Sequence, residues 1–277
     1  MIFTLNNGVT LPAIGFGTYL ATDGNGEQTI IDALEVGYRY FDTASFYHNE
    51  EEIGHALRKA GIPREELFLS SKVWKTQMGY EETKKAFQES LEKLGTEYLD
   101  MYLIHWPKET AQDPEWKKKI QDTWRAMEEF YEAGKVRAIG LSNFLPHHIM
   151  ALKETAKVQP MVNQLELHVG YMQEYALAYC KENDIVVQAW SPLGRRRMLE
   201  DANVIRMATD YQVTPAMLLL RYLMQRELVV IPKASSKERM KENLEIPEFV
   251  ISPEDMAFLS CIPQQGWSGE HPDFDKK

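Results

Sequence analysis

The chain has 277 residues, of which 44% are hydrophobic and 26% charged, as in an ordinary globular protein. Its 31 basic and 41 acidic residues give a net charge of −10, which opposes binding to nucleic acid or to an anionic membrane surface. Its two cysteines, Cys180 and Cys261, do not make a disulfide framework or a zinc site. Without a leader-like start or an apolar run near the roughly 20 residues that cross a bilayer, we expect a cytoplasmic protein.

The chain begins with a predicted β-hairpin. Residues 2–5 and 9–11 are rich in β-branched, aromatic and other apolar residues and flank Asn6-Asn7-Gly8, residue types that tolerate the positive φ of a tight turn. The pattern therefore predicts two short antiparallel strands before the main body of the fold.

Eight β-rich runs then alternate with stretches of helical periodicity. Phe87, Leu91 and Leu94, for example, recur at the spacing of one helix face, and Gly95 follows where a helix can end. Strand–helix alternation predicts right-handed parallel units, and eight of them favour an α/β, (β/α)8 TIM barrel whose bottom is closed by the hairpin. We find no linker and expect one domain over residues 1–277. The eight runs are residues 14–17, 38–41, 67–73, 99–104, 136–141, 161–167, 185–190 and 228–231.

An ionisable side chain lies at or next to the C-terminal end of three of these runs: Asp42, Lys72 and His105. Tyr47 follows the first of them by five residues. Because the C-terminal ends of barrel strands form one rim, which carries the active site, we expect these four residues to cluster. An aspartate, a lysine, a histidine and a tyrosine together can transfer a proton. Further polar or aromatic residues at strand ends are Ser142, Asn143, Gln164, Glu166, Trp190, Ser191 and Lys233.

Motifs spread along the chain resemble those of the aldo-keto reductase family, in the family's order, from the hairpin to about Asn243. They most resemble the bacterial-type glyoxal or methylglyoxal reductases and 2,5-diketo-gluconate reductases. The motifs are residues 37–44 (GYRYFDTA), Tyr47 with 49–50 (NE), 71–72 (SK), 105–107 (HWP), 140–144 (GLSNF), 163–164 (NQ), 190–193 (WSPL) and 231–233 (IPK).

The resemblance implies a catalytic tetrad of Asp42, Tyr47, Lys72 and His105. Tyr47 would be the general acid that protonates the carbonyl oxygen of an aldehyde or ketone as hydride arrives. A free phenol has a pKa of about 10, and we expect the Lys72 ammonium to lower the pKa of Tyr47. Asp42 would keep Lys72 charged and oriented. His105 would hydrogen-bond the carbonyl oxygen.

The resemblance also implies NADPH as the cofactor, with weaker use of NADH; no GxGxxG fingerprint is present. Ala234 replaces a serine found in many relatives, so we expect Ser235 or Ser236 to supply a hydroxyl. Arg195-Arg196-Arg197 could contact the cofactor phosphates or form a solvated turn. The expected nicotinamide contacts are Ser142, Asn143, Gln164 and Trp190; the pyrophosphate contacts are Ser191, Leu193 and Gly194; the contacts to the 2′-phosphate and adenine are Lys233, Ser235, Arg239, Glu242 and Asn243.

The expected substrate pocket is aromatic, which favours small aldehydes, ketones and dicarbonyl compounds such as methylglyoxal. We expect no obligate protein partner. The residues that correspond to the family's pocket are Tyr19, Phe46, Trp74, His105 and Trp106, with Trp267 in the C-terminal tail.

Two other interpretations compete with a reductase. One is a metal-dependent barrel hydrolase that uses Asp42, His105, Glu166 and His168, although the first strand lacks the usual ligand pair. The other is a non-catalytic NADPH-binding regulatory module. Sensitivity to a chelator would indicate the first, and cofactor binding without turnover would indicate the second.

Overall fold

The computed structural model describes residues 1–21 and 26–275. Strands and helices alternate through most of this chain. The strands are β1 (Ile2–Thr4), β2 (Thr10–Pro12), β3 (Phe16–Gly17), β4 (Tyr40–Asp42), β5 (Phe68–Val73), β6 (Leu99–Ile104), β7 (Val136–Ser142), β8 (Val162–Glu166), β9 (Val186–Trp190) and β10 (Val229–Ile231). The helices are α1 (Gly26–Val36), α2 (Glu50–Ala60), α3 (Tyr80–Leu94), α4 (Trp116–Glu132), α5 (Pro146–Lys153), α6 (Glu174–Glu182), α7 (Ala202–Asp210), α8 (Pro215–Gln225), α9 (Lys237–Leu244) and α10 (Pro253–Ser260).

The eight strands from β3 to β10 form one parallel sheet in sequence order. Backbone hydrogen bonds close this sheet into a barrel: the amide of Gly15 donates to the carbonyl of Val230, and the amide of Val230 to the carbonyl of Ala13, both at 2.9 Å. The predicted α/β barrel is thus confirmed, and each of the eight predicted runs overlaps an observed strand.

The N-terminal hairpin lies at the bottom of the barrel, as predicted. Strands β1 and β2 pair antiparallel around the turn that contains Asn6 and Asn7. The Asn6 amide donates to the carbonyls of Pro160 and Asp184, just before β8 and β9. The Asn7 amide donates to the carbonyl of Arg137, near the start of β7. The turn therefore reaches across the N-terminal ends of three strands and leaves the opposite rim open.

The helices follow the signals in the sequence. Helix α3 ends at Leu94, and Gly95 follows with a φ of 65°, a conformation that glycine adopts without strain. Proline occupies the first position of α5 and α8, where no backbone N–H is required. No helix among the described residues combines the length and apolar character that a membrane span requires.

Candidate active site

The centre of the upper rim is a buried ion pair between Asp42 and Lys72. Asp42 is the last residue of β4 and Lys72 lies in the neighbouring strand β5. Lys72 is fully buried, and its Nζ lies 2.5 Å from Asp42 Oδ2 and donates to the carbonyl of Thr43 at 2.9 Å. Burial lowers the pKa of Lys72, whereas the Asp42 charge opposes that shift. Asp42 thus compensates an ammonium that would otherwise be very unfavourable in this place.

The other oxygen of the Asp42 carboxylate is held from β5 and from one further strand, β8. Ser70 Oγ donates to Asp42 Oδ1 at 2.8 Å, and Gln164 Nε2 donates to the same atom at 2.9 Å. Gln164 Nε2 also donates to Gln188 Oε1 at 3.0 Å. The motifs did not point to Ser70 or Gln188. For Gln188, a polar residue inside an otherwise apolar strand was the available signal, whereas Ser70 is the first of three consecutive polar residues in β5.

Tyr47 is positioned by a short 3₁₀ turn, Ser45–Tyr47, that follows β4. Ser45 Oγ donates to the carbonyl of Lys72 at 3.1 Å and so fixes the turn to β5. The Tyr47 hydroxyl lies 3.5 Å from Lys72 Nζ. The structure therefore places the hydroxyl of a half-buried tyrosine beside the buried ammonium.

The pKa of Tyr47 is raised well above its ordinary value, chiefly by burial and further by the Asp42 carboxylate. The expectation that Lys72 lowers this pKa is therefore wrong for this structure. The reason is that Lys72 is neutralised by Asp42, so the phenol faces an ion pair and not a lone cation. A raised pKa keeps Tyr47 protonated at neutral pH, which is the form that can donate a proton.

His105 follows β6 and faces the same space as Tyr47. The two ring centroids are 5.6 Å apart, and the Trp74 ring lies 5.0 Å from His105 on another side. Burial, with the positive charges of Lys72 and Lys75, holds the pKa of His105 well below its ordinary range. The imidazole is therefore neutral at physiological pH and can hydrogen-bond a carbonyl oxygen without competing for the proton.

The residues expected to contact nicotinamide lie beside this cluster. Asn143 follows β7 with a φ of 62°, and its Nδ2 donates to the carbonyl of His105 at 3.0 Å. Trp190, at the end of β9, donates from Nε1 to Asn143 Oδ1 at 2.9 Å. Ser142 Oγ donates to the backbone carbonyl of Gln164 at 3.0 Å. The structure thus brings the four predicted residues to one side of the rim, next to His105.

The segment after Trp190 has an unusual backbone. Ser191, Gly194, Arg195 and Arg196 all have positive φ. Arg195, Arg196 and Arg197 are exposed in the 3₁₀ segment Gly194–Glu200 that follows the half-buried Leu193. Of the three guanidinium groups, only that of Arg197 forms a hydrogen bond with a described residue: it donates to the carbonyl of Trp267 at 3.5 Å.

The predicted 2′-phosphate residues lie around the start of α9. Arg239 is exposed, and its guanidinium donates to Ser235 Oγ at 2.8 Å and to Ser236 Oγ at 3.3 Å. Lys233 is exposed, and in the described part of the chain neither it nor Arg239 pairs with a carboxylate. Lys237 differs, since it binds Asp32 and Glu35. On the same helix, Glu242 is half-buried and Asn243 buried.

Aromatic side chains surround the space above Tyr47 and His105. Phe46 stacks on Trp74 at 3.8 Å between ring centroids, and the Tyr19 ring lies 5.0 Å from that of Tyr47. Trp106 lines a crevice with Asn143 and Trp190, and this crevice is bounded on its outer side by the C-terminal tail, residues 262–275. The tail residues at the crevice are Glu270, His271 and Pro272. Trp267 packs instead against Tyr171, with ring centroids 6.0 Å apart.

The geometry does not support the metal-hydrolase interpretation. Glu166 accepts hydrogen bonds from the Ser268 amide and hydroxyl at 3.0 and 2.6 Å, so it anchors the tail. Within residues 1–21 and 26–275, Asp42, His105, Glu166 and His168 do not form a group with metal-ligand spacing.

Such spacing occurs instead at His147, His148 and Asp273. There His148 Nδ1 accepts from the Leu145 amide, which leaves the Nε2 proton facing Asp273. Lys108 already pairs with the Asp273 carboxylate and so supplies the positive charge that a metal ion would otherwise supply there.

Comparison with known proteins agrees with this geometry. Residues 13–262 match the model of the aldo/keto reductase family. The chain belongs to this family. It is 41% identical over 277 residues to the 9,11-endoperoxide prostaglandin H2 reductase of Trypanosoma cruzi, covering 98% of this chain and 94% of that one. It is also 41% identical over 270 residues to the glyoxal reductase of Bacillus subtilis, covering 97% and 95% of the two chains.

Solved structures of aldo-keto reductases share the fold. An enzyme from a deep-sea metagenome library superposes with a TM-score of 0.88 at 41% identity, covering 95% of each chain. The Bombyx mori aldo-keto reductase in complex with NADP superposes with a TM-score of 0.85 at 32% identity, covering 94% of this chain and 92% of that one. The predicted family, fold class and oxidoreductase class are thus confirmed.

The buried ion pair gives a prediction for stability. Asp42→Ala should lower the free energy of unfolding by about 3–5 kcal/mol, because it leaves a buried ammonium unpaired. Adding Lys72→Met should recover most of that loss. Urea denaturation of the two variants measures both effects, with Asp210→Ala, which removes an exposed partner of Arg206, as the control. A loss below about 1 kcal/mol in Asp42→Ala would contradict the importance of this pair.

Proposed function

We propose that this protein reduces small carbonyl compounds to alcohols with NADPH, using Asp42, Tyr47, Lys72 and His105. The observation that carries the proposal is geometric: the Tyr47 hydroxyl lies 3.5 Å from the buried Lys72, which is paired with Asp42, and the His105 ring lies across the same space. A proton donor and a hydrogen-bond partner thus face one point where a carbonyl oxygen can bind.

The residues present are compatible with a nicotinamide cofactor. Polar groups of Ser142, Asn143 and Gln164 lie beside the flat ring of Trp190 at the rim. The two exposed cations, Lys233 and Arg239, lie near the start of α9 without carboxylate partners in the described residues. In this arrangement, bound NADPH would supply the hydride that reaches the carbonyl carbon.

Each residue of the tetrad has a distinct task in the proposed reaction. Tyr47 donates its hydroxyl proton to the carbonyl oxygen as negative charge develops there. Lys72 Nζ, 3.5 Å from that hydroxyl, can hydrogen-bond the resulting phenolate oxygen, and Asp42 keeps Lys72 in place through that change. His105, neutral because of its burial, orients the carbonyl oxygen toward Tyr47. The pKa of Tyr47 is high without substrate, so proton release is coupled to charge developing on the substrate.

The proposed preference for NADPH over NADH rests on the two exposed cations. Arg239 already contacts Ser235 and Ser236, which orients its guanidinium and supplies two hydroxyl groups beside it. A guanidinium with adjacent hydroxyls is suited to a 2′-phosphate, which NADH lacks. The NADP complex of the Bombyx mori relative supports this assignment.

The substrates we propose are short aldehydes and dicarbonyl compounds. The wall of Phe46, Trp74 and Trp106 is aromatic, which suits uncharged substrates. The name of the Bacillus subtilis relative, glyoxal reductase, supports the same class. The regulatory-module alternative has no comparable support, because it does not require the paired and buried Lys72.

Removal of the Tyr47 hydroxyl tests the proposed acid. Tyr47→Phe should lower kcat by about a hundredfold or more, the usual contribution of a general acid. Binding of NADPH, measured by fluorescence titration, should stay close to that of the unsubstituted protein. Tyr80→Phe is a matched control, since it removes a surface hydroxyl that donates to Glu129. Near-normal turnover by Tyr47→Phe would exclude this residue as the acid.

Arg239→Ala tests cofactor preference. The dissociation constant for NADPH should rise about tenfold or more, as for loss of a charged hydrogen bond, and that for NADH less than about threefold. Arg206→Ala, which removes an exposed arginine paired with Asp210, should change neither. Equal losses for the two cofactors would be inconsistent with a 2′-phosphate site at Arg239.

The pKa shifts of His105 and Tyr47 predict a flat pH dependence. An unperturbed histidine titrates at about pH 6.5, but the lowered pKa of His105 keeps it neutral at that pH. The raised pKa of Tyr47 keeps it protonated through the neutral range. Reductive kcat/KM for an uncharged substrate should therefore be constant from about pH 6 to pH 8. A change in kcat/KM toward acid pH with a midpoint at about pH 6.5 would contradict the lowered pKa of His105.

A further inference from the structure

Gln188 lies beneath the proposed catalytic cluster and contacts no catalytic residue directly. It is fully buried in the middle of β9, where its backbone pairs with that of Gln164 in β8. Both side chains reach into the barrel. Gln188 Oε1 accepts from Gln164 Nε2 at 3.0 Å and from the Tyr40 hydroxyl at 3.3 Å. Its carboxamide oxygen is therefore the shared acceptor of two donors from different strands.

These two contacts determine the orientation of the Gln188 carboxamide. In the reverse orientation, the NH2 group of Gln188 would face the NH2 group of Gln164, and two donors would oppose each other. In the observed orientation, the unsatisfied group is Gln188 Nε2, which is buried and has no hydrogen-bond partner among the described residues. A buried donor without a partner is unfavourable. An apolar side chain that only filled this space would carry no such cost.

Tyr40 supports Gln188 from the opposite side. Its ring packs edge-on against Phe68 and lies against Gly15, where a Cβ atom would come within 2.5 Å of the ring. The absence of a side chain at Gly15 thus leaves room for the Tyr40 ring. The hydroxyl at the end of this ring then donates to Gln188.

The contact with Gln188 uses one of the two Gln164 amide hydrogens, and Asp42 Oδ1 accepts the other. Since both hydrogens of Gln164 are engaged, its carboxamide cannot rotate without losing two hydrogen bonds. Gln164 Oε1 is thereby the one atom of this carboxamide left to serve as an acceptor for a ligand. Asp42 in turn has its Oδ1 fixed, while Oδ2 binds Lys72.

We propose that Gln188 is a positioning residue for the reaction, acting through Gln164. It fixes the Gln164 carboxamide so that the NH2 group supports Asp42 and the oxygen faces the nicotinamide carboxamide. This inference rests on the proposed function, because it assigns Gln164 Oε1 to the cofactor. It extends the site by one residue that neither contacts the cofactor nor takes part in proton transfer.

Two substitutions separate positioning from packing. Gln188→Met keeps the volume but removes the acceptor, and should raise the dissociation constant for NADPH about fivefold to tenfold, the effect of one hydrogen bond. Gln188→Glu, protonated in this buried place, keeps a carbonyl acceptor and should recover most of the affinity. Gln225→Met is the matched control, since it removes two hydrogen bonds that the Gln225 side chain on α8 makes with the backbone of Ile251.

The pathway through Gln164 is tested by a double variant. If Gln188 acts through Gln164, then adding Gln188→Met to Gln164→Met should change the dissociation constant for NADPH less than about twofold. Losses that add in full would overturn the proposal, as would unchanged NADPH binding in Gln188→Met.

A cofactor-free measurement makes the outcome independent of the proposed function. With selective ¹⁵N-glutamine labelling, the side-chain amide of Gln164, assigned through its absence in Gln164→Met, should show protection from hydrogen exchange. That protection should fall in Gln188→Met and persist in Gln225→Met. Unchanged protection in Gln188→Met would overturn the positioning role even if NADPH binds. Conversely, a protein that does not bind NADPH but shows this loss of protection would refute the proposed function and leave the Gln188 contact established.

Discussion

The rest of the site depends on the burial of the Lys72 ammonium. A lysine with no solvent exposure is tolerated only if a carboxylate lies in contact and the remaining hydrogen-bonding groups are satisfied. Asp42 and the Thr43 carbonyl meet that requirement. Ser70 and Gln164 then hold the free oxygen of Asp42. Strands β4, β5 and β8 are thus joined by a single polar network inside an otherwise apolar barrel.

This network also explains the protonation of Tyr47. A lone ammonium would stabilise the phenolate, but an ammonium paired with a carboxylate has little net field at the phenol. Burial then dominates, and the pKa of Tyr47 is raised. The pKa of His105 is lowered by burial and by nearby cations, which keeps the imidazole neutral. The site therefore holds a protonated phenol and a neutral imidazole around one space.

Most of the framework could be predicted from the sequence because its signals are local. Strand runs, helix periodicity, and stop signals such as Gly95 depend on neighbouring residues. The position of Asp42, Lys72 and His105 at strand ends follows from the barrel topology. Contacts over long sequence separation could not be predicted, such as the Glu166–Ser268 anchor of the tail. Neither could the Gln164–Gln188 pair, because two buried glutamines are seen as partners only after β8 and β9 are in register.

The direction of the Tyr47 pKa shift was mispredicted for the same reason. The sequence suggested that Lys72 lies near Tyr47, but the net effect of Lys72 depends on its distance to Asp42, which is 2.5 Å. The direction of a pKa shift at this site is a balance between burial and several charges. It can be predicted only when the distances between all of these groups are known. Residue types at strand ends identify the participants but leave the outcome of that balance open.

The most direct test of the account is oxidation of NADPH by the purified protein with a panel of small aldehydes, dicarbonyls and ketones, followed by absorbance. The account predicts carbonyl-dependent oxidation, fastest with short aldehydes or dicarbonyls, and an alcohol product formed in equal amount to the NADPH consumed. NADPH that binds tightly but is not oxidised with any carbonyl would contradict it.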